Sequence, residues 1–417
     1  MITFSRASTG TYLDSDGLLK SAAINTPRVE YDYQGNRLGL LVEEARTNLI
    51  THQTHNFTGS ISATDEANTE VAAPTGIIDG LKITPTANLG THTVYYPGSS
   101  DASVQSYTSS VYVKQGNATH AQLIFGTNSA NDGIAVILDF STGDYTIDNA
   151  GTGYTLLSAG AENVGNGWYR LHVAMDATAT ASYTYVGVSN GSRSWTATGA
   201  EYIYAWGGQR EAGSFPTSYI PTSGATATRS ADVASIPIEN VPVSRNGHTW
   251  FVEWNTDSDY STSFTLFRAI NYGPSSQTTI THTTSYVTSN MRAYARYGAA
   301  GLNNRALGPV PLDDNQFHKG AIAVKAGSNT IGTGVLDGAL GDPGTTGDLI
   351  YLYFNDVYIG SYSGVSQLNG HIRSFSYYPR RLTDAQIKAL TSPPETPTLS
   401  LTFDDSTTSY LETSIHG

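Results

Sequence analysis

The chain contains no cysteine. Disulfide frameworks and thiolate metal sites are therefore excluded, and the zero fits synthesis in a reducing cytosol. Charge is scarce: Asp, Glu, Lys and Arg together make up 14% of 417 residues, against about 25% in ordinary globular domains. A helical bundle, which needs Glu, Lys, Leu and Ala on long periodic faces, is disfavoured. No apolar run approaches the ~18 residues that suggest a bilayer span. The opening "MITFSRASTGTYLDSDGLL" lacks the basic-then-apolar pattern of an export signal. Neither membrane insertion nor signal-directed secretion is expected. G-x-S-x-G, H-E-x-x-H and P-loop patterns are missing as well, so the common hydrolase and nucleotide-binding signatures are not met.

Glycine and tyrosine are abundant, at 42 and 27 residues. Tyr and Thr suit pleated strands and Gly suits the turns between them, so an all-β fold is expected. The formal net charge of -13 repels phosphate backbones, and nucleic acid is not an expected partner. A chain of this length exceeds one ordinary core, so two or three domains are expected.

Four segments can be read along the chain. Residues 1–52 form an N-terminal collar or attachment segment of short strands and turns. It ends in "GLLVEEARTNLI", too short for its period to decide between helix and strand. Glu43, Glu44 and Arg46 there read as partners in ion pairs. Residues 53–232 carry short strands at regular spacing, among them "SYTSSVYVKQG", "GWYRLHVAMDA" and "ASYTYVGVSNG", which predict a jelly-roll sandwich. Within it, "DFSTGDYTI" predicts a hairpin turning at Ser141-Thr142-Gly143. Residues 233–395 predict a second, concanavalin A-like sandwich closed by one short C-terminal helix, "LTDAQIKAL", with a capping box at Thr383 and Gln386. Residues 396–417 form a tail.

The stretch "EAGSFPTSYIPTSGATATRSAD" joins the two sandwiches. Phe215, Tyr219 and Ile220 are apolar where a free linker is polar, and Pro216 and Pro221 restrict the backbone. The segment from Glu211 to Pro221 is expected to pack back as a clasp, with Thr222 to Thr228 as the hinge. Arg229 and Asp232 echo the "SRAST" start, which suggests that the two regions meet.

Three blocks resemble a family of modular phage virion proteins, the tail fibres and head-attached spikes or fibres. The first is the opening "FSRASTGTYLDSDGLLKSAAINTPRVEYDYQGNRLGLLVEEARTNL"; the second runs from "GWYRLHVAMDA" to "TSYIPTSGATATRSAD". The third, "LNGHIRSFSYYPRRLTDAQIKALT", is similar to the last strand and helix of concanavalin A-like and laminin-G-like sandwiches. The resemblance implies a virion component made in the host cytoplasm. It implies a homotrimer attached to other virion proteins through its N-terminal segment, with carbohydrate-binding-like sandwiches that touch host-surface glycan. No heptads or coil repeats occur, which favours a compact spike or tip over an extended shaft.

Sugar binding by such sandwiches needs aromatic faces beside amide and carboxylate groups. Tyr95, Tyr96 and Trp168 lie in the first sandwich, with Trp168 and Trp206 placed as core. Trp195, in a Gly/Ser/Asn loop beside Arg193, is expected to be exposed and to bind carbohydrate. Trp250 and Trp254 share a strand face with Val252 and read as core, whereas Tyr272, Tyr294 and Tyr297 lie near loops and are further candidates. Loop aspartates Asp257, Asp259, Asp313 and Asp314, with Asp101, are the candidate oxygen ligands for calcium, although none has EF-hand spacing. No other cofactor is expected.

An enzymatic alternative, an exopolysaccharide depolymerase of glycosidase or lyase type, would rest on Glu253 and Asp257, four apart on one strand, or on a loop histidine. His248, His282, His318 and His371 are scattered in sequence. A further alternative is a structural decoration without a ligand. A non-enzymatic adhesin is the expectation that best fits the pattern.

Overall fold

The computed structural model describes residues 2–51, 59–96, 106–127, 129–150, 153–177, 183–241, 244, 247–256, 264–270, 279–285, 290–296, 302–309, 316–325, 330–341, 344–345 and 356–392. The fold is all-β, built of antiparallel sheets, with the helix Asp384–Thr391 beside them.

The first sandwich is formed by two six-stranded sheets. One runs, in spatial order, Tyr145–Ala150, Gly133–Asp139, His120–Gly126, Tyr183–Ser189, His92–Tyr96 and Gly59–Ile61. The other runs Tyr154–Gly165, Trp168–Ala177, Ser106–Gln115, Ile203–Ala212, Leu81–Pro85 and Ala63–Ala67. Alternation along each strand decides what lies between them. Val111 and Val113, Leu123 and Phe125, Val136 and Leu138, and Leu171 and Val173 all point into one shared core. The hairpin predicted at Ser141-Thr142-Gly143 joins Gly133–Asp139 to Tyr145–Ala150, with Gly143 at a φ of 79° as the turn requires.

The second sandwich has a seven-stranded sheet and an eight-stranded sheet. Trp250, Val252 and Trp254 of Gly247–Thr256 pack inward against Phe264, Leu266, Phe267, Val357 and Ile359. The tryptophans expected in the core are there. On the outer face of the same strand, Phe251 meets Ala321, Val335, Leu382 and Ile387, so the helix covers that side. Its capping box forms as predicted: the Thr383 side chain accepts from the Gln386 backbone, and the Gln386 side chain accepts from the Thr383 backbone.

The N-terminal segment is not a separate collar, which corrects the expected division of the chain. Thr3–Ser5 pairs with Val233–Pro237 at the edge of the seven-stranded sheet. Arg37–Val42 pairs with Gly370–Tyr378, and Val29–Tyr31 pairs in turn with Arg37–Val42, so both extend the eight-stranded sheet. Gly39 (φ 132°) is needed for this approach, because a Cβ there would meet the Ile372 carbonyl. "GLLVEEARTNLI" is therefore strand on both sides of a short break, as Arg37–Val42 and Arg46–Asn48. Strand pairing to partners far along the chain decided what local periodicity could not.

The clasp packs as expected from its apolar residues. Phe215, Tyr219 and Ile220 are buried. The Tyr219 ring lies 4.7 Å from Trp206 and 6.1 Å from Tyr112, and Arg46 stacks on Phe215 at 4.9 Å. The hinge is shorter than Thr222 to Thr228. Thr222 is buried, the Gly224 amide donates to the Thr51 carbonyl, and Ala227–Arg229 already pairs with Arg46–Asn48.

Beneath the clasp the motif residues of both regions converge in one buried polar cluster. Asp232 takes Arg6 at 3.1 Å on one oxygen and Arg28 on the other. Glu43 pairs with Arg28 at 2.7 Å and Arg229 at 3.5 Å, and it accepts from the Ser218 amide and hydroxyl at 2.7 Å each. Burial pushes the Glu43 carboxyl up, but Arg229, Arg28 and the two Ser218 bonds outweigh it and hold its pKa well below the usual range. The echo between "SRAST" and "TRSAD" is thus a physical contact. Glu44 turns the other way and pairs with Arg46 at 2.5 Å, so Glu43 and Glu44 do not act together.

Candidate functional site

Adjacent residues of a strand face opposite sides of a sheet. Tyr95 and Tyr96 therefore divide: Tyr96 is buried, while Tyr95 stays half-buried on the outer face of the first sandwich. Tyr183 and Tyr185, two apart on the neighbouring strand, share that outer face, and Tyr185 stands directly across from Tyr95. The Tyr95 ring lies 5.5 Å from Tyr183 and 5.4 Å from Tyr185, and Tyr183 stacks on Tyr185 at 5.9 Å with 20° between planes. These are attractive aromatic spacings.

The cluster is anchored from beneath. Tyr185 is buried among Ile124, Ala130, Ala135 and Ile137, and its hydroxyl donates to the Thr127 carbonyl at 2.8 Å. Burial and the neighbouring phenols push its pKa up. Tyr154, also half-buried, reaches the side chains of Thr127 and Asp132, and burial followed by Asp132 raises its pKa. Both phenols stay neutral donors across ordinary pH. Gly59 lies opposite Tyr95 in the next strand, and any Cβ there would collide with the Tyr95 phenol, so the glycine leaves the ring its place. Tyr95 and Tyr183 present aromatic surface, and Tyr185 fixes their positions.

The residues expected to bind carbohydrate are placed differently. Trp195 and Arg193 are buried, not exposed. Trp195 belongs to the short strand Trp195–Thr196 and stands edge-on to His92 at 5.2 Å. Arg193 is saturated: it donates to Asp148 at 3.2 Å and to the carbonyls of Ala130, Gly133 and Asp148 at 3.0, 2.9 and 2.6 Å. A loop composition rich in Gly, Ser and Asn suggested exposure, but the arginine's carbonyl partners draw the loop onto the sheet. Tyr294 lies in the strand Asn290–Arg296, and Tyr272 and Tyr297 lie outside the described residues. The calcium candidates Asp257, Asp259, Asp313, Asp314 and Asp101 also lie outside them. Among the described residues no group of three or more His, Asp or Glu is arranged to hold a metal ion.

For the enzymatic alternative, Glu253 projects from the outer face of the second sandwich and pairs with Arg373 at 3.5 Å; Asp257 is outside the described residues. His371 is buried between Glu30 at 2.8 Å and Asn255 at 2.9 Å. His318 bonds Asp337 at 2.8 Å. His248 is fully buried, and desolvation lowers its pKa to about 3. Each described histidine of this sandwich is thus tied into the framework, while His282 sits in the strand Thr279–Ser285.

Sequence reasoning singled out Tyr95 but not its two partners. The signal was available in "SYTYVG", where Tyr183 and Tyr185 recur at the strand period. Which strand lies beside Tyr95 was not readable locally.

No family model matches the chain, and no curated protein matches it. Among solved structures, a Trypanosoma rangeli sialidase in complex with the inhibitor DANA aligns over 93% of this chain and 94% of its own, at 10% identity and a TM-score of 0.28. A likeness that loose carries no argument about function.

Proposed function

We propose that this chain is a non-enzymatic adhesin of a bacteriophage particle, a fibre or spike component that attaches to host-surface polysaccharide. The observation that carries the reading is the half-buried pair Tyr95 and Tyr183, held by buried Tyr185 on the outer face of a sheet. Sugar rings present CH faces that stack on such phenols, at little entropic cost because a Tyr has two side-chain torsions. The virion origin is supported by the resemblance of the opening and clasp blocks to phage fibre proteins. In this fold those blocks supply Arg6, Glu43, Arg229 and Asp232 to the buried junction, so they serve to brace the adhesin.

The test is binding of the full-length protein to host cells and to extracted surface polysaccharide, beside the Tyr95→Ala/Tyr183→Ala double variant. Binding that weakens at least tenfold in the variant is expected, with no new reducing ends or unsaturated uronates released. Release of such ends at high protein concentration would transfer the reading to a depolymerase. Mass measurement in solution tests the homotrimer, and a monomer at micromolar concentration would remove that element.

A further inference from the structure

The charge around the tyrosine face narrows what it can hold. Between Lys82 and Arg193 the sequence carries two cationic residues, Lys114 and Arg170, and seven acidic ones, a net of -5 over this stretch. Both cations lie on the opposite sheet of the sandwich, as do Glu162 and Asp176 of the acidic residues, and both cations are engaged there. Lys114 donates to the Asn166 carbonyl at 2.7 Å; Arg170 donates to Ser110 at 3.1 Å and to the Thr217 carbonyl at 2.7 Å. Of the side chains packed over the tyrosine-bearing sheet, Arg193 is saturated by Asp148 and three carbonyls. His120 stands 3.5 Å from Asp139 at the far row of that sheet. Among the described residues, the titratable groups at this face include Asp132, bonded to Thr127 at 3.0 Å, and the phenols themselves. The segments that adjoin these strands, 52–58, 97–105, 127–132 and 178–182, contain neither Lys nor Arg, and the first carries His52 and His55.

A carboxylated or phosphorylated polymer needs a cation to replace its hydration and counter-ions, and an acidic surround repels it over about 8–10 Å. Stacking on a phenol face needs none. We propose that the Tyr95–Tyr183–Tyr185 face takes a neutral polysaccharide, a hexose polymer without uronate, sialate or phosphate groups, and discriminates against acidic ones. The inference rests on the adhesin reading and specifies the ligand class of the same site.

Affinity electrophoresis and calorimetry of the full-length protein test it with two polymer groups: dextran, mannan and arabinogalactan on one side, hyaluronate and polygalacturonate on the other. Retention on at least one neutral polymer is expected, unchanged between 20 and about 150 mM salt because no ion pair is involved. It falls at least tenfold in Tyr95→Ala and Tyr183→Ala and is kept in Tyr95→Phe and Tyr183→Phe, which retain the ring and control for folding. Tyrosine-dependent binding of the acidic group alone overturns the neutral assignment and leaves the adhesin standing. Binding indifferent to all four variants overturns the site, as does an alanine variant that changes only the oligomeric mass. Failure to bind any polymer of either group, together with failure to bind host cells, removes the adhesin reading itself.

Discussion

Glu43 shows how much one side chain can hold. Its two oxygens serve half-buried Ser218 and the buried Arg28 and Arg229. Removing one partner of a buried ion cluster leaves charge uncompensated, at a cost of about 3–5 kcal/mol. Glu43→Gln is therefore expected to lower the urea midpoint, with a loss of unfolding free energy of that order; an unchanged midpoint would show that the arginines are satisfied without it. The pH dependence follows from the direction of the shift. Because the folded carboxyl sits below its ordinary 4.5, its contribution is complete above that value and is lost as pH falls towards the folded pKa. His248 acts in a higher window. Its pKa, lowered to about 3 by burial, means the unfolded chain protonates first, near pH 6.5. Stability thus declines from about pH 6.5 down towards 3, with a slope of up to about 1.4 kcal/mol per pH unit from this group. Urea titrations at stepped pH check it, and His248→Gln should flatten that limb.

At the scale of elements, the clasp is where local reading worked best. Apolar Phe215, Tyr219 and Ile220 beside two prolines signalled packing, and all three are buried. Replacing Phe215 and Tyr219 by Ala opens cavities worth about 3–5 kcal/mol each, so the double variant is expected to melt several degrees lower in calorimetry. Unchanged melting would reduce the stretch to a tether. The helix was equally legible, because a capping box needs only residues three apart, and Thr383→Ala is expected to cost about 1 kcal/mol. Strand identities were readable from alternation, as in Val111 and Val113. The candidate site was less so. Tyr95 becomes a platform only because Tyr183 and Tyr185 arrive beside it from about ninety residues later in the chain. Arg193 is hidden only because Asp148 and the carbonyls of Ala130 and Gly133 converge on it. Such meetings are tertiary, and no local pattern encodes them.

At the scale of the molecule, the strands of the first fifty residues and those between Val233 and Tyr378 form one structure. Gly370–Tyr378 bonds Gly247–Thr256 on one side and Arg37–Val42 on the other, while Thr3–Ser5 covers the edge of Val233–Pro237. The sheet order therefore skips the whole first sandwich, and residues paired as His371 and Leu41 are more than three hundred positions apart. Without the N-terminal strands, two sheet edges lose their hydrogen-bond partners, and Asp232 loses both Arg6 and Arg28. Open edges and an unpaired buried carboxylate each oppose folding. A chain lacking residues 1–50 is thus expected to keep the first sandwich and lose the second. Hydrogen exchange should show fast exchange through Gly247–Thr256 and Gly370–Tyr378 and continued protection in Ser106–Gln115. A synthetic peptide of residues 1–50 added in trans should restore protection in the second sandwich, because it supplies the missing strands and both arginines. Full protection of Gly370–Tyr378 in the shortened chain would show instead that the N-terminal strands only decorate a sandwich complete without them.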